Sequence, residues 1–266
     1  MGPALVALAL LATHPWSPGS AAAPAARLRV PVARAARPTT LPQDEFAVRF
    51  EAGGVQNARG RWGAPLAAGA GYGVDDRLEV GIRLLDWVAG AAEDPRAGLF
   101  APTAYGRARA ATGPLEIGGG LAVQLPLEGF TAADVEAFSR LHFGARGALD
   151  LSIRAGGRFQ ASTRWPGRAL AELSLSPARR FTASAGAELG AADLAAPPDR
   201  RRLWVRARGA LTLTLGEPSQ VPLWDLELRY RSPPRGLSAL PPDLGHEGSL
   251  LVRLFFDDPD DDRDFR

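Results

Sequence analysis

The chain has 266 residues, no cysteine, 46% hydrophobic residues, 23% charged residues and a formal net charge of only +2. These values exclude a disulfide framework and a thiolate metal site, and the near-neutral balance gives no support to a nucleic-acid binder. In chain order, the first thirty residues read as an export signal. "ALVALALLA" is a short apolar run, below the roughly 20 residues that a spanning helix needs. "THPWSPGSAAAPAA" then offers small-residue cleavage sites near Ala22 to Ala26. A disordered Ala/Pro-rich tail on a cytoplasmic protein is the alternative reading. The stretch "RLRVPVARAARPTTLPQDE" has no period and reads as a linker or lead-in to the first strand.

Period-two alternation, the signature of strands, then runs through the chain. In "GYGVDDRLEVGIRLL", residues 71–85, Leu78, Val80, Ile82 and Leu84 fall on one side, and Glu79, Gly81 and Arg83 on the other. Phe46, Val48 and Phe50 alternate in the same way with Ala47, Arg49 and Glu51. The pattern recurs around 62–72, 115–125, 141–146, 151–159, 181–189, 203–214, 224–230 and 249–256, with weaker runs at 101–111 and 168–176. That gives twelve candidate strands of about ten residues each, the length of a tilted membrane-spanning strand. The links sort by parity. Those after even-numbered strands are short: "GVDD", "ATGP", "GALD", "SPARR" and "GEPSQ". Those after odd-numbered strands are mostly long, as in "DWVAGAAEDPRAG", "PLEGFTAADVEA" and "SPPRGLSALPPDLGHEG". An up-and-down barrel with tight periplasmic turns and longer outer loops has this arrangement.

The expected fold is therefore all-β, an antiparallel up-and-down transmembrane β-barrel of about twelve strands. The expected organisation is a signal peptide over 1–26, a linker over 27–44, the β-barrel over 45–256 and an acidic C-terminal tail over 257–266. Leu78, Val80, Ile82 and Leu84 are expected to face lipid. Trp62, Tyr72, Trp87, Tyr105, Trp165, Trp204, Trp224 and Tyr230 lie mostly near strand ends, where an aromatic girdle sits. Alternation nevertheless points Trp204 inward, among arginines.

With a signal peptide, alternating strands and the last strand "SLLVRLFF", the chain resembles a bacterial outer-membrane β-barrel. The resemblance implies the outer membrane of a Gram-negative cell, contact with its lipid, and recognition of Phe255 or Phe256 by the barrel-assembly machinery. The chain departs from the pattern by continuing into "DDPDDDRDFR". "GYGVDDRLEVGIRL" also resembles the strand–turn–strand repeat of transporter-like barrels associated with aromatic-compound degradation loci.

Alternation sends Arg49, Arg83, Arg107, Arg109, Glu116, Arg146, Arg154, Arg158, Arg206, Arg208 and Arg229 to the lumen, and these are the expected pore-lining residues. Glu51, Glu79, Glu172, Glu188, Asp225, Glu227, Arg231 and Arg253 are sent there too. Cations outnumber acids, and lining charge sets the barrier to passing ions. The expected function is a passive, porin-like pore or transporter for small solutes with a preference for anions. Two alternatives stand beside it: a closed structural barrel whose outer loops bind a partner, and an outer-membrane lipid hydrolase centred on His142. Arginines bridging the acids would also plug a narrow barrel. No catalytic residue, metal ligand, cofactor or nucleic-acid partner is expected. "DDPDDD" lacks the Gly and distal Glu of a calcium loop, and "GPLEIGGGL" is a glycine cluster within a strand, not a phosphate loop. "TAADVEAFSR", 131–140, is expected to form one or two helical turns in a loop, capped by Thr131.

Overall fold

A computed structural model describes residues 33–57, 60–89, 102–127, 130–159, 163–198, 200–216, 223–237 and 244–257. The expected signal peptide, Trp87's side chain and most of the acidic tail lie outside the described residues. Thirteen strands follow one another: β1 (Glu45–Asn57), β2 (Trp62–Asp75), β3 (Leu78–Ala89), β4 (Thr103–Thr112), β5 (Leu115–Leu127), β6 (Phe130–Phe143), β7 (Gly147–Phe159), β8 (Gly167–Ala178), β9 (Phe181–Ala191), β10 (Leu203–Leu215), β11 (Leu223–Arg231), β12 (Arg235–Gly236) and β13 (Leu244–Asp257). β12 is a two-residue bridge to β10. The twelve long strands each pair antiparallel with two neighbours, and β1 pairs with β13 from Glu45↔Asp257 onward, which closes the sheet. Closure leaves no unpaired edge, the condition for a sheet to cross hydrocarbon.

The residue distribution inverts that of a soluble domain. Ile153 is 65% exposed and Leu228 58% exposed on the outer face, with Phe50, Val80, Ile117 and Val135 around them. The fully buried side chains include Glu45, Glu227, Asp225, Thr214 and Ser176. Apolar exposure spread over a whole wall is far beyond a soluble protein's patches and fits lipid contact. Replacing Ile153, at the middle of β7, by arginine should cost about 2–4 kcal/mol in lipid. Urea unfolding of vesicle-inserted protein measures it, and a change near zero would place this face away from hydrocarbon.

Four tight connections lie at one end, at 76–77, 113–114, 144–146 and 179–180. The β1 start and β13 end share this rim. Connections at the other end include long ones, at 90–102 and 192–202, but not uniformly: 58–61 and 128–129 are short. The second of these is a correction. Residues 131–140 are not helical but part of β6, in register with both β5 and β7. Asp134, Glu136, Phe138 and Arg140 point inward while Val135 and Ala137 are exposed. Period-two alternation through the whole segment is satisfied by two strand neighbours, which outweighs a local helical cap.

Three inward aromatic rings lie over glycines of adjacent strands. A Cβ on Gly118 would stand 2.4 Å from Phe138, one on Gly81 2.4 Å from the Tyr105 ring and one on Gly190 2.0 Å from Trp204. Glycine supplies the room for the ring, and the ring covers the bare backbone. Trp204 is therefore inward, as alternation requires. Tyr105 also turns inward, where its hydroxyl donates to Glu79 Oε1 at 2.9 Å, and so leaves the expected girdle. Trp62, Trp165, Trp224 and Tyr230 remain exposed at strand ends.

Candidate functional site

The stretch expected as a lead-in to β1 lies inside the barrel. Residues 33–42 form an arm with one 3₁₀ turn, Arg34–Ala36, that crosses the tight-turn end of the lumen from wall to wall. At the β8–β11 wall, Arg34 donates to Thr212 Oγ1 at 2.8 Å and pairs with Glu227. Arg37 forks onto Asp225, with Nη2 3.0 Å from Oδ1, and also reaches Thr214. From β6, Arg140 Nη1 donates to the Arg37 carbonyl at 2.6 Å. His142 spans two groups, one ring nitrogen 3.0 Å from the Ala35 carbonyl and the other 2.8 Å from Glu116 Oε1. At the β3–β5 wall, Glu116 accepts from the Thr39 amide at 2.9 Å and its hydroxyl at 2.8 Å, and Glu79 accepts from the Leu41 amide at 3.0 Å. Leu41 packs with Leu223, Phe255 and Ala47 in a small apolar cluster.

The chain then reverses into β1. Asp44 has φ of 63°, a left-handed conformation that Asp and Asn tolerate best. Its Oδ1 accepts from the Tyr72 hydroxyl at 3.0 Å, and its amide donates to the Gly73 carbonyl. The Pro42 carbonyl oxygen lies 1.8 Å from where a Cβ on Gly73 would stand, so no larger residue fits there while the arm is seated.

Above the arm, a cavity of about 440 Å³ is lined by nine arginines and five carboxylates. Of the expected pore-lining residues, Arg49, Arg83, Arg107, Arg154 and Arg208 face it. Arg154 pairs with Asp134 at 3.2 Å and Arg208 with Glu172 at 2.8 Å. Arg107 donates to the Thr39 carbonyl and lies over the Phe138 ring, 4.5 Å from its centroid. Arg109 and Glu116 sit at the arm instead, Arg109 donating to Thr40 Oγ1 at 2.7 Å. Arg158 holds Asp134, Arg229 holds Glu227 and Glu51, and Arg206 is clamped between Glu188 and Glu247 at 3.1 Å each. Arg146 is not in the lumen: β6 ends at Phe143, and Arg146 lies exposed in the 144–146 turn, where alternation no longer applies. Asp134, Glu136 and Arg140, on the part of β6 expected as helical turns, and Arg34 and Arg37, on the arm, are lumenal residues beyond those expected. Alternation through 132–142 would have found the first three. No sequence period marks the arm.

Fold comparison places this geometry among known barrels. Over 82% of this chain and 96% of the other, it superposes on an outer membrane channel from Pseudomonas putida F1 with TM-score 0.55 and 12% identity. The chain has the outer-membrane β-barrel fold. A solved structure of the NanC porin gives TM-score 0.50 and 10% identity, over 78% of this chain and 98% of that one. At these identities the likeness is one of fold. No protein-family model and no curated protein matches the sequence.

Proposed function

We propose that this outer-membrane barrel is a channel for small solutes that favours anions, with its periplasmic mouth narrowed by residues 33–42. The carrying observation is the cavity, where nine arginines meet five carboxylates. A charged wall of low dielectric concentrates counter-ions within it and repels co-ions. The two structural relatives bear the names channel and porin, which agrees with this reading. The export signal over 1–26 delivers the chain to the periplasm, and assembly into the outer membrane places the tight turns on that side. Tight coordination of both ring nitrogens of His142 by the arm and Glu116 gives that residue a role in seating the arm, not in hydrolysing lipid.

The test is a salt gradient across a planar bilayer containing the refolded mature chain. Discrete current steps with a reversal potential of the sign carried by the anion are expected. A cation-signed potential would overturn the preference. A folded barrel without current would favour the second reading, a closed barrel, for which the seated arm is the supporting observation.

A further inference from the structure

Most of the lumenal arginines have a carboxylate partner. Arg49 and Arg253 are the departure: among the described residues neither is held in an ion pair or a hydrogen bond. They stand directly opposite each other across the β1–β13 ladder, where Cβ atoms lie about 5 Å apart and like charges oppose pairing. Both line the cavity. On the other side of Arg49 the same rung continues through Gly69 to Arg83, which lines the cavity too. A Cβ on Gly69 would stand 3.5 Å from Arg49 Nε, so the guanidinium lies over bare backbone and faces open space.

The partner Arg253 lacks is present but taken. Asp225 is its register neighbour on β11, and its oxygens are engaged by Arg37 of the arm and by Thr214. Glu227, one inward position further along β11, is engaged by Arg34 and Arg229. The arm thus brings two cations to the two acids nearest Arg253. We infer that Arg49 and Arg253 form a receptor for an oxyanion, the carboxylate or phosphate group of a small solute, and that the seated arm keeps it vacant by occupying Asp225. This deepens the channel reading by naming the solute class, and it rests on that reading for its biological meaning. Paired planar forks are the geometry that carboxylate and phosphate oxygens take best.

The experiment is calorimetric titration of the refolded, detergent-solubilised mature chain with inorganic phosphate and, separately, with citrate, at fixed ionic strength. Saturable binding of either probe is expected, and the ratio of the two affinities reports which group is preferred. Arg49→Gln and Arg253→Gln should each weaken binding by about tenfold or more, the loss of one charge-assisted contact. Arg37→Ala should weaken it as well, because Asp225 is released to Arg253, and adding Asp225→Asn to Arg37→Ala should restore it. Affinity restored beyond any recovery of the melting midpoint separates this from a purely structural role for Arg37.

A melting midpoint guards against misfolding. Without anion, Arg253→Gln should melt no lower than the parent, since it removes a like-charge opposition, and phosphate should raise the parent's midpoint more than the variant's. Absence of saturable binding in the parent, or unchanged affinity in both glutamine variants, overturns the inference. Because binding is read without current, a barrel that binds but does not conduct retains the receptor and removes the channel. A barrel that conducts without binding does the reverse.

Discussion

A chain that begins at Gln43, lacking the arm, should still fold and should conduct several-fold more per channel than one that begins at Arg27. Closure of the barrel does not use the arm: β1 starts at Glu45, and each of the twelve long strands finds two strand neighbours. The arm's contacts are instead with lumenal side chains at the tight-turn end, through Thr212, Glu227, Asp225, Arg140, His142, Glu116 and Glu79. Removing the whole segment admits water to those groups, so Asp225, Glu227 and Glu116 become hydrated instead of being left buried and unpaired. Stability falls, yet the cost is shared with solvent. Single-channel recording of the truncated and full chains side by side decides the matter. Equal conductance would mean that the narrowest point lies elsewhere, toward the loop end, where Arg206, Arg231 and Glu247 already form an ion network across β10, β11 and β13.

Why the arm had to wait for the structure is a matter of what a sequence period can carry. A strand repeats its environment every second residue, so Leu78 to Leu84 or Leu250 to Phe256 declare both the element and the lipid-facing side. The same rule gave the lumenal side of Arg49, Arg83, Arg107, Arg154 and Arg208. It fails at Arg146, where the period runs past the end of β6 into a turn. Over 131–140 a cap residue and several good helix formers compete with the period and hide Asp134, Glu136, Phe138 and Arg140. Those residues face inward only because β5 and β7 hold the backbone extended on both sides. An irregular segment such as 33–42 has no period at all. Its hydrogen bonds and ion pairs go to residues from Glu79 on β3 to Glu227 on β11, far apart in sequence, and a Pro/Ala/Arg composition looks the same in a solvated linker and in a seated plug. Which arginine meets which acid is equally hidden, since it depends on the stagger of neighbouring strands. Asp225 stands in register with Arg253, yet binds Arg37.

That exchange sets up the larger stability effect. Arg37→Ala, with the rest of the arm in place, should destabilise the barrel by about 1.5–3 kcal/mol, the loss of hydrogen bonds to a charged group, short of the roughly 3–5 kcal/mol of an ion-pair member left wholly alone because Arg253 stands in register with Asp225. The Arg37 side chain is 6% exposed and that of Asp225 1%, so neither is screened by solvent. Unlike truncation, the point change leaves Leu41 packed on Leu223 and Phe255 and Thr39 bound to Glu116, so the remaining arm keeps water out. Asp225 then retains Thr214, whose hydroxyl donates to Oδ1 at 2.8 Å, and gains Arg253, its register neighbour on β13, which offsets part of the loss. Two comparisons isolate the charge. Asp225→Asn placed on top of Arg37→Ala should recover part of the loss, because the neutral amide needs no cation and still accepts from Thr214. Arg235→Ala, at an exposed position on β12, should stay within about 0.5 kcal/mol of the parent, as surface changes do. Urea unfolding of the parent, Arg37→Ala, Asp225→Asn and the double variant in the same lipid gives the coupling energy between Arg37 and Asp225 directly. A coupling near zero would mean that the carboxylate is stabilised by the barrel wall alone, and the arm would then be a passenger in the lumen instead of a bolt across it.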